Sequence, residues 1–185
     1  MSRSKKRGRM SVVGWVVLGI LVVVGGTAVW YGNRLIGQSA ERLLYPRRSQ
    51  PSQTPADFDL AAEPVQFAAS DGVMITGWFI PPTEAANGAT LIYAHGYGGN
   101  RGSLLDQAVA MQETGYGALL LDLRNHGESG DAISTWGQAE ARDLVAAFTY
   151  LQTRPEVNPS RIGLVGKSMG GAAVALAAAQ LPDVA

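Results

Sequence analysis

The run Arg161-Ile162-Gly163-Leu164-Val165-Gly166-Lys167-Ser168-Met169-Gly170-Gly171 leaves this chain few ways to fold. Its apolar residues suit a buried strand, and Ala172 to Leu181 behind it is rich in helix formers. Gly166-Lys167-Ser168-Met169-Gly170 fits G-x-S-x-G, in which a strand reverses into a helix so sharply that the serine is held in a strained backbone conformation with its hydroxyl at the tip. Larger residues at 166 and 170 would collide where strand and helix pass closest, and Gly171 lets the helix sit near the sheet. The bland alternative is an ordinary strand-turn-helix connection with a capping serine. Two phosphate-binding readings fail on spacing. A P-loop ending at Gly166-Lys167-Ser168 needs glycine at 161, which is Arg161, and a dinucleotide fingerprint starting at Gly96-Tyr97-Gly98 needs its third glycine at Arg101.

Charge is balanced over the 185 residues but unevenly placed. Arg3, Lys5, Lys6, Arg7 and Arg9 precede the first apolar stretch; the remainder carries ten basic and fifteen acidic residues, a net of 10 − 15 = −5. Met10 to Asn33 holds no charge, and Val12 to Tyr31 as a helix is about 30 Å long, one hydrocarbon core. A membrane-spanning helix over 10–32 is the expectation, with Trp15 and Trp30-Tyr31 at the interfaces and the basic tail 1–9 in the cytoplasm, which puts the rest outside. A cleaved signal peptide, with Val12 to Val24 as its apolar core and Gly26-Thr27-Ala28 as its cleavage site, is the rival. The apolar run continues past that point to spanning length, which favours the anchor. The basic cluster is accounted for by topology, so nothing points to nucleic acid. The absence of cysteine excludes disulfides, zinc-thiolate sites and a thiol nucleophile.

Residues 33–58 read as a juxtamembrane segment followed by a stiff polar stalk around Pro46, Pro51 and Pro55. Then Pro64 to Ser70 and Val73 to Ile80 form a hairpin through Asp71-Gly72, ended by Pro81-Pro82. Thr90 to Ala94 is a third strand. A capping box from Ser103 to Asp106 opens a helix that Gly115 stops, Ala118 to Leu121 is a strand covered on both faces, and Ala141, Leu144, Val145, Phe148 and Leu151 form the inner stripe of a second helix. A hairpin followed by alternating strands and helices gives an α/β fold, a mostly parallel sheet with helices on both faces.

Ser70-Asp71-Gly72, Gly77-Trp78 with Pro81-Pro82, His95-Gly96-Tyr97-Gly98-Gly99, Asp122-Leu123-Arg124-Asn125-His126-Gly127-Glu128-Ser129 and the elbow at Ser168, in this order, resemble the α/β-hydrolase superfamily, in particular its membrane-anchored, lipase- and serine-aminopeptidase-like bacterial branch. The resemblance covers residues 59–185 as the amino-terminal part of such a domain. It implies that Ser168 is a nucleophile attacking an ester, thioester or amide carbonyl in a small acyl or peptide substrate. It implies too that the backbone N–H groups of Tyr97 and Met169 hold the oxyanion, with no metal or organic cofactor. In the family order an acid and a histidine follow the serine. Here only Asp183 does, so the sequence reads as the first portion of a longer hydrolase, inactive and poorly soluble alone, with Ile162 to Val165 as an apolar edge strand. His95 and His126 are the only histidines; His95, in the oxyanion loop, reads as holding backbone, His126 lies in a polar loop after the fourth strand, and neither is favoured as the base. Asp122, Glu128 and Asp143 read as strand-end, loop and helix-face carboxylates. A catalytically dead hydrolase fold serving as a membrane-tethered binding module is the alternative function, and a nucleotide-binding α/β domain a third.

Overall fold

The charge-free apolar run forms one helix, α1 (Val12–Leu44), in a computed structural model that describes residues 11–181 and 184. Its most apolar stretch has a mean hydropathy of 2.5 and no part of it is buried, so α1 is long and apolar enough to cross a membrane. The basic tail expected to set its orientation and Asp183 lie outside the described residues. The chain divides into two units between Glu41 and Arg42, and the last turn of α1 belongs to the second.

In the second unit the hairpin strands β1 (Glu63–Ala68) and β2 (Met74–Ile80) turn at Gly72, where φ is +84°. They are followed by β3 (Thr90–Ala94), α2 (Leu105–Gln112), β4 (Gly117–Asp122), α3 (Glu140–Gln152), β5 (Ile162–Gly166) and α4 (Met169–Ala178). The sheet order is β1-β2-β4-β3-β5; β2 is antiparallel to β4, while β3 is parallel to both β4 and β5, as the strand-helix alternation after the hairpin implies. Ala94 pairs with Leu121 on one side and Gly166 on the other, so three strand carboxyl ends align at one edge.

Successive side chains of a strand face opposite ways, and here each face meets its own core. Ile92, Leu119 and Leu121 pack with Leu144, Phe148 and Ala173 of α3 and α4; Tyr93 and Leu120 pack with Leu104, Leu105 and Ala108 around α2. β4 is buried at every residue, which is why it shows an apolar run without alternation. Among the described residues β5 is paired on one side only.

The elbow helix starts at Met169, directly after the serine, as the unpartnered first amide expected there requires. Two local expectations need correcting. The cap before α2 is Asn100, not Ser103: its side chain accepts from the Gly102 N–H at 2.9 Å while the Ser103 hydroxyl accepts from the Asn100 N–H at 3.0 Å, opening a 3₁₀ turn over Arg101–Leu104. Residues 45–58 are not a free stalk. Pro55 is buried in a short 3₁₀ turn, Phe58 packs against the α2 core, and Arg48 and Ser49 find partners on loops of the domain.

Candidate active site

Ser168 sits between β5 and α4 at φ 54° and ψ −119°, a region that costs a residue with a Cβ about 1–3 kcal/mol. The fold holds it there. Lys167 N–H donates to the Ala94 carbonyl at 3.0 Å, Gly170 N–H to Lys167 at 2.9 Å and Ala172 N–H to the Ser168 carbonyl at 3.1 Å. A Cβ on Gly170 would run into the Ala94 carbonyl oxygen and one on Gly166 into the Gly170 backbone, so the glycines of the motif are dictated by close approach. The result is an exposed serine whose hydroxyl has no hydrogen-bond partner among the described residues.

The strand end beside it carries a second built turn. Gly96 to Gly99 closes with a Gly99 N–H to Gly96 carbonyl bond of 3.0 Å, with Gly98 at φ +72°, which makes Tyr97 the leading corner of a type II turn. Both histidines hold this turn. His95 Nε2 accepts from the Leu123 N–H at 3.1 Å, so the proton lies on Nδ1 and is donated to the Gly96 carbonyl at 2.7 Å. His126 Nε2 accepts from the Gly98 N–H at 3.0 Å, and its Nδ1 donates to the Arg124 carbonyl at 2.8 Å. The rings meet edge-on at 4.9 Å. Burial pushes His95 down to about 4, opposed by the Gly96 carbonyl and reinforced by His126. Burial also lowers His126. With both ring nitrogens engaged by backbone, neither histidine has a nitrogen left for Ser168.

Between the two turns lies a cleft of about 240 Å³ lined by Gly96, Tyr97, Gly99, Ser103, Lys167 and Ser168. The first residue of a helix has no internal partner for its N–H, and at Met169 none is supplied from elsewhere; the Tyr97 N–H is equally unpartnered among the described residues. A larger cavity of about 360 Å³ lies between β1 and α3, lined by Phe67, Val145 and Tyr150, and contains no group of this site.

The loop from Arg124 to Gly137, read from sequence as one wall of the pocket, meets the site through a residue that the sequence did not single out. Trp136, half exposed at φ 59°, stacks on Tyr97 with ring centroids 4.6 Å apart and planes 4° from parallel. Glu140, fully buried at the start of α3, holds the loop that presents it. Its carboxylate accepts from the Ser134 hydroxyl at 3.1 Å, the Thr135 N–H at 2.8 Å, the Thr135 hydroxyl at 2.7 Å and the Gly137 N–H at 2.8 Å. Burial pulls this carboxyl up, but those donors win and hold it below its ordinary range. The remaining carboxylates are structural in their contacts. Asp122 accepts from Arg101 N–H and guanidinium and from Glu128 N–H, and Arg101 also pairs with Glu128. Asp143 binds Arg124, which reaches on to Asp71 of the hairpin turn. Among the described residues no cluster of three or more potential metal ligands occurs.

A mixed sheet whose parallel strands β4, β3 and β5 carry an exposed serine on a strained strand-to-helix turn, beside a backbone turn with an unused N–H, is the architecture of an α/β-hydrolase. The family model described as alpha/beta hydrolase fold matches residues 89–185, and the chain belongs to that family. It is 30% identical over 181 residues to an uncharacterized protein of Mycobacterium tuberculosis, covering 95% of this chain and 58% of that one. It is also 30% identical to the alpha/beta hydrolase domain-containing protein WAV2 of Arabidopsis thaliana, over 85% of this chain and 53% of the relative. Among solved structures, Pyrococcus furiosus esterase Pf2001 superposes with a TM-score of 0.70 at 28% identity, over 76% of this chain and 55% of the esterase. The chain thus spans little more than half the length of these relatives.

Proposed function

We propose that the protein is a membrane-anchored serine hydrolase that cleaves an ester, thioester or amide through an acyl-enzyme on Ser168. The observation that carries this reading is the exposed Ser168 hydroxyl sharing one cleft with Tyr97, whose backbone N–H is unpartnered among the described residues, while the N–H of Met169, next in the chain after Ser168, is unpartnered too. In the first half-reaction Ser168 Oγ bonds to the acyl carbon, the carbonyl oxygen becomes an oxyanion held by the two N–H groups, and the acyl bond to the leaving group breaks as that group takes a proton. In the second, water adds to the acyl carbon, releasing the acid and restoring the serine hydroxyl. We assign the base and its orienting acid to the part of the fold that follows the elbow helix in the family order, since His95 and His126 are committed to backbone. Helix α1 serves as the anchor, with the preceding basic tail in the cytoplasm and the hydrolase domain outside it.

That same commitment of both histidines is the observation favouring a second reading, a catalytically inactive hydrolase fold used as a tethered binding module. Turnover separates the two. Full-length protein in detergent should hydrolyse p-nitrophenyl butyrate, and Ser168→Ala should abolish it. Turnover that survives Ser168→Ala would refute the first reading, and a folded full-length protein without turnover would favour the second.

A further inference from the structure

The segment that follows the apolar helix is bonded to the candidate site itself. Tyr97, which lines the cleft, donates its hydroxyl proton to the carbonyl of Arg42. The Leu44 carbonyl accepts from the Ser134 N–H at 3.0 Å and from the Asn125 side-chain amide at 3.1 Å. Asn100, which caps the turn behind Tyr97, donates to the Ser49 hydroxyl at 3.0 Å. The Arg48 guanidinium donates to the Ser129 carbonyl at 2.6 Å and pairs with Asp131. Residues 42–49 therefore lie as a strap along the loops after β3 and β4, the two that flank Ser168.

Most of the exposed large apolar side chains of the second unit, Leu176 on α4 excepted, lie on the strap or on elements bonded to it or to Tyr97. Leu44 and Tyr45 lie on the strap, Ile133 is next to the residue bonded to Leu44, and Trp136 covers Tyr97. Met74, beyond the carboxyl end of β4, adds to them through the bond from Gly130 to its carbonyl. Exposed apolar groups on one rim mark a surface that meets something apolar. The chain itself names the occupant. Only nine residues, all within α1, lie between Gly32 and Arg42, so the apolar run and the strap are neighbours in sequence.

We infer that the site takes its substrate from the bilayer: an acyl ester of a membrane-resident amphiphile, reached across the rim formed by the strap and Trp136. This rests on the Ser168 hydrolase reading and on α1 crossing the membrane. The reaction is ester hydrolysis, in which the acyl–oxygen bond breaks, the alcohol leaves with a proton, and water supplies the atoms that complete the carboxylic acid.

The test uses the full-length protein in phosphatidylcholine vesicles with two probes, p-nitrophenyl palmitate embedded in the bilayer and water-soluble p-nitrophenyl acetate. An insertion of eleven helix-forming residues after Gly37 lifts the domain by about 16 Å while nearly preserving its rotation about the helix axis. The expected result is a loss of about tenfold or more in turnover of the embedded ester, with the soluble ester within about twofold, because the lengthened tether no longer lets the rim meet the surface. An insertion that leaves the embedded ester unaffected, or a wild-type protein that cleaves only the soluble ester, overturns the inference and leaves the hydrolase reading standing. Failure to cleave either ester removes the hydrolase reading and this inference with it.

Discussion

Glu140→Ala is the substitution whose consequence the structure fixes most tightly. The side chain is fully buried and its two oxygens accept four hydrogen bonds, two from hydroxyls and two from the backbone N–H groups of Thr135 and Gly137. Hydroxyls can rotate to other acceptors, but backbone N–H groups cannot. Each one left unsatisfied costs about 1–3 kcal/mol, so the variant should lose roughly 2–6 kcal/mol of unfolding free energy. The loop 134–137 should open and the Trp136 to Tyr97 stack should loosen with it. Urea unfolding gives the first quantity, and hydrogen exchange of the peptide spanning 134–138 gives the second. Glu140→Gln, which keeps one acceptor oxygen, should fall between. A loss below about 1 kcal/mol together with unchanged exchange would refute the claim that this carboxylate holds the wall.

Other expectations follow from the same contacts. His95 should stay neutral down to about pH 4, read from its imidazole resonances by NMR. Because the unfolded chain takes up this proton near 6.5, His95 makes stability fall as pH drops from 6.5 towards 4 and level off below, an effect of roughly 3 kcal/mol. Asp143, raised to about 6 by burial against the pull of Arg124, acts in the opposite direction over part of that window, so the resonance is the cleaner readout. Gly170→Ala should yield no soluble folded protein, since its Cβ meets the Ala94 carbonyl, while Gly171→Ala, whose Cβ finds its nearest atom at 3.4 Å, should be tolerated. Tyr97→Pro suits the leading corner of the turn but removes its N–H, and should lower kcat by about 10²–10³-fold. Tyr97→Ala, which loses the stack and keeps the N–H, should lower it far less; equal losses in the two variants would reject a role for that N–H.

The elbow was legible because its geometry needs glycine at fixed offsets from Ser168, and β4 was legible as a strand covered on both faces because Ala118 to Leu121 is apolar without alternation. His95 was legible as a backbone-holding residue from its place in the loop after β3, whereas the hold of His126 on the Gly98 N–H depends on a pairing 28 positions apart. What escaped is what depends on pairings distant in sequence or on loop geometry. Arg48 meets Ser129 across 81 positions, and no periodicity records that. Polar residues between prolines read as a solvated stalk, yet Arg48 and Ser49 are polar because they bind loops. Glu140 sits at the start of α3 like many acidic residues favoured there by the helix dipole, so its hold on residues 134–137 carried no separate signal. Asn100 was passed over as a cap because the 3₁₀ turn places the cap one turn before the α-helical spacing begins.

The central claim is that Ser168 is a reactive nucleophile beside the Tyr97 and Met169 N–H groups. Incubating folded full-length protein with a fluorophosphonate probe and locating the adduct by peptide mass spectrometry tests it most directly. Stoichiometric modification of Ser168, lost in Ser168→Ala and slowed in Tyr97→Pro, is the expected result. Folded protein that stays unlabelled, or carries the adduct on another residue, would contradict it.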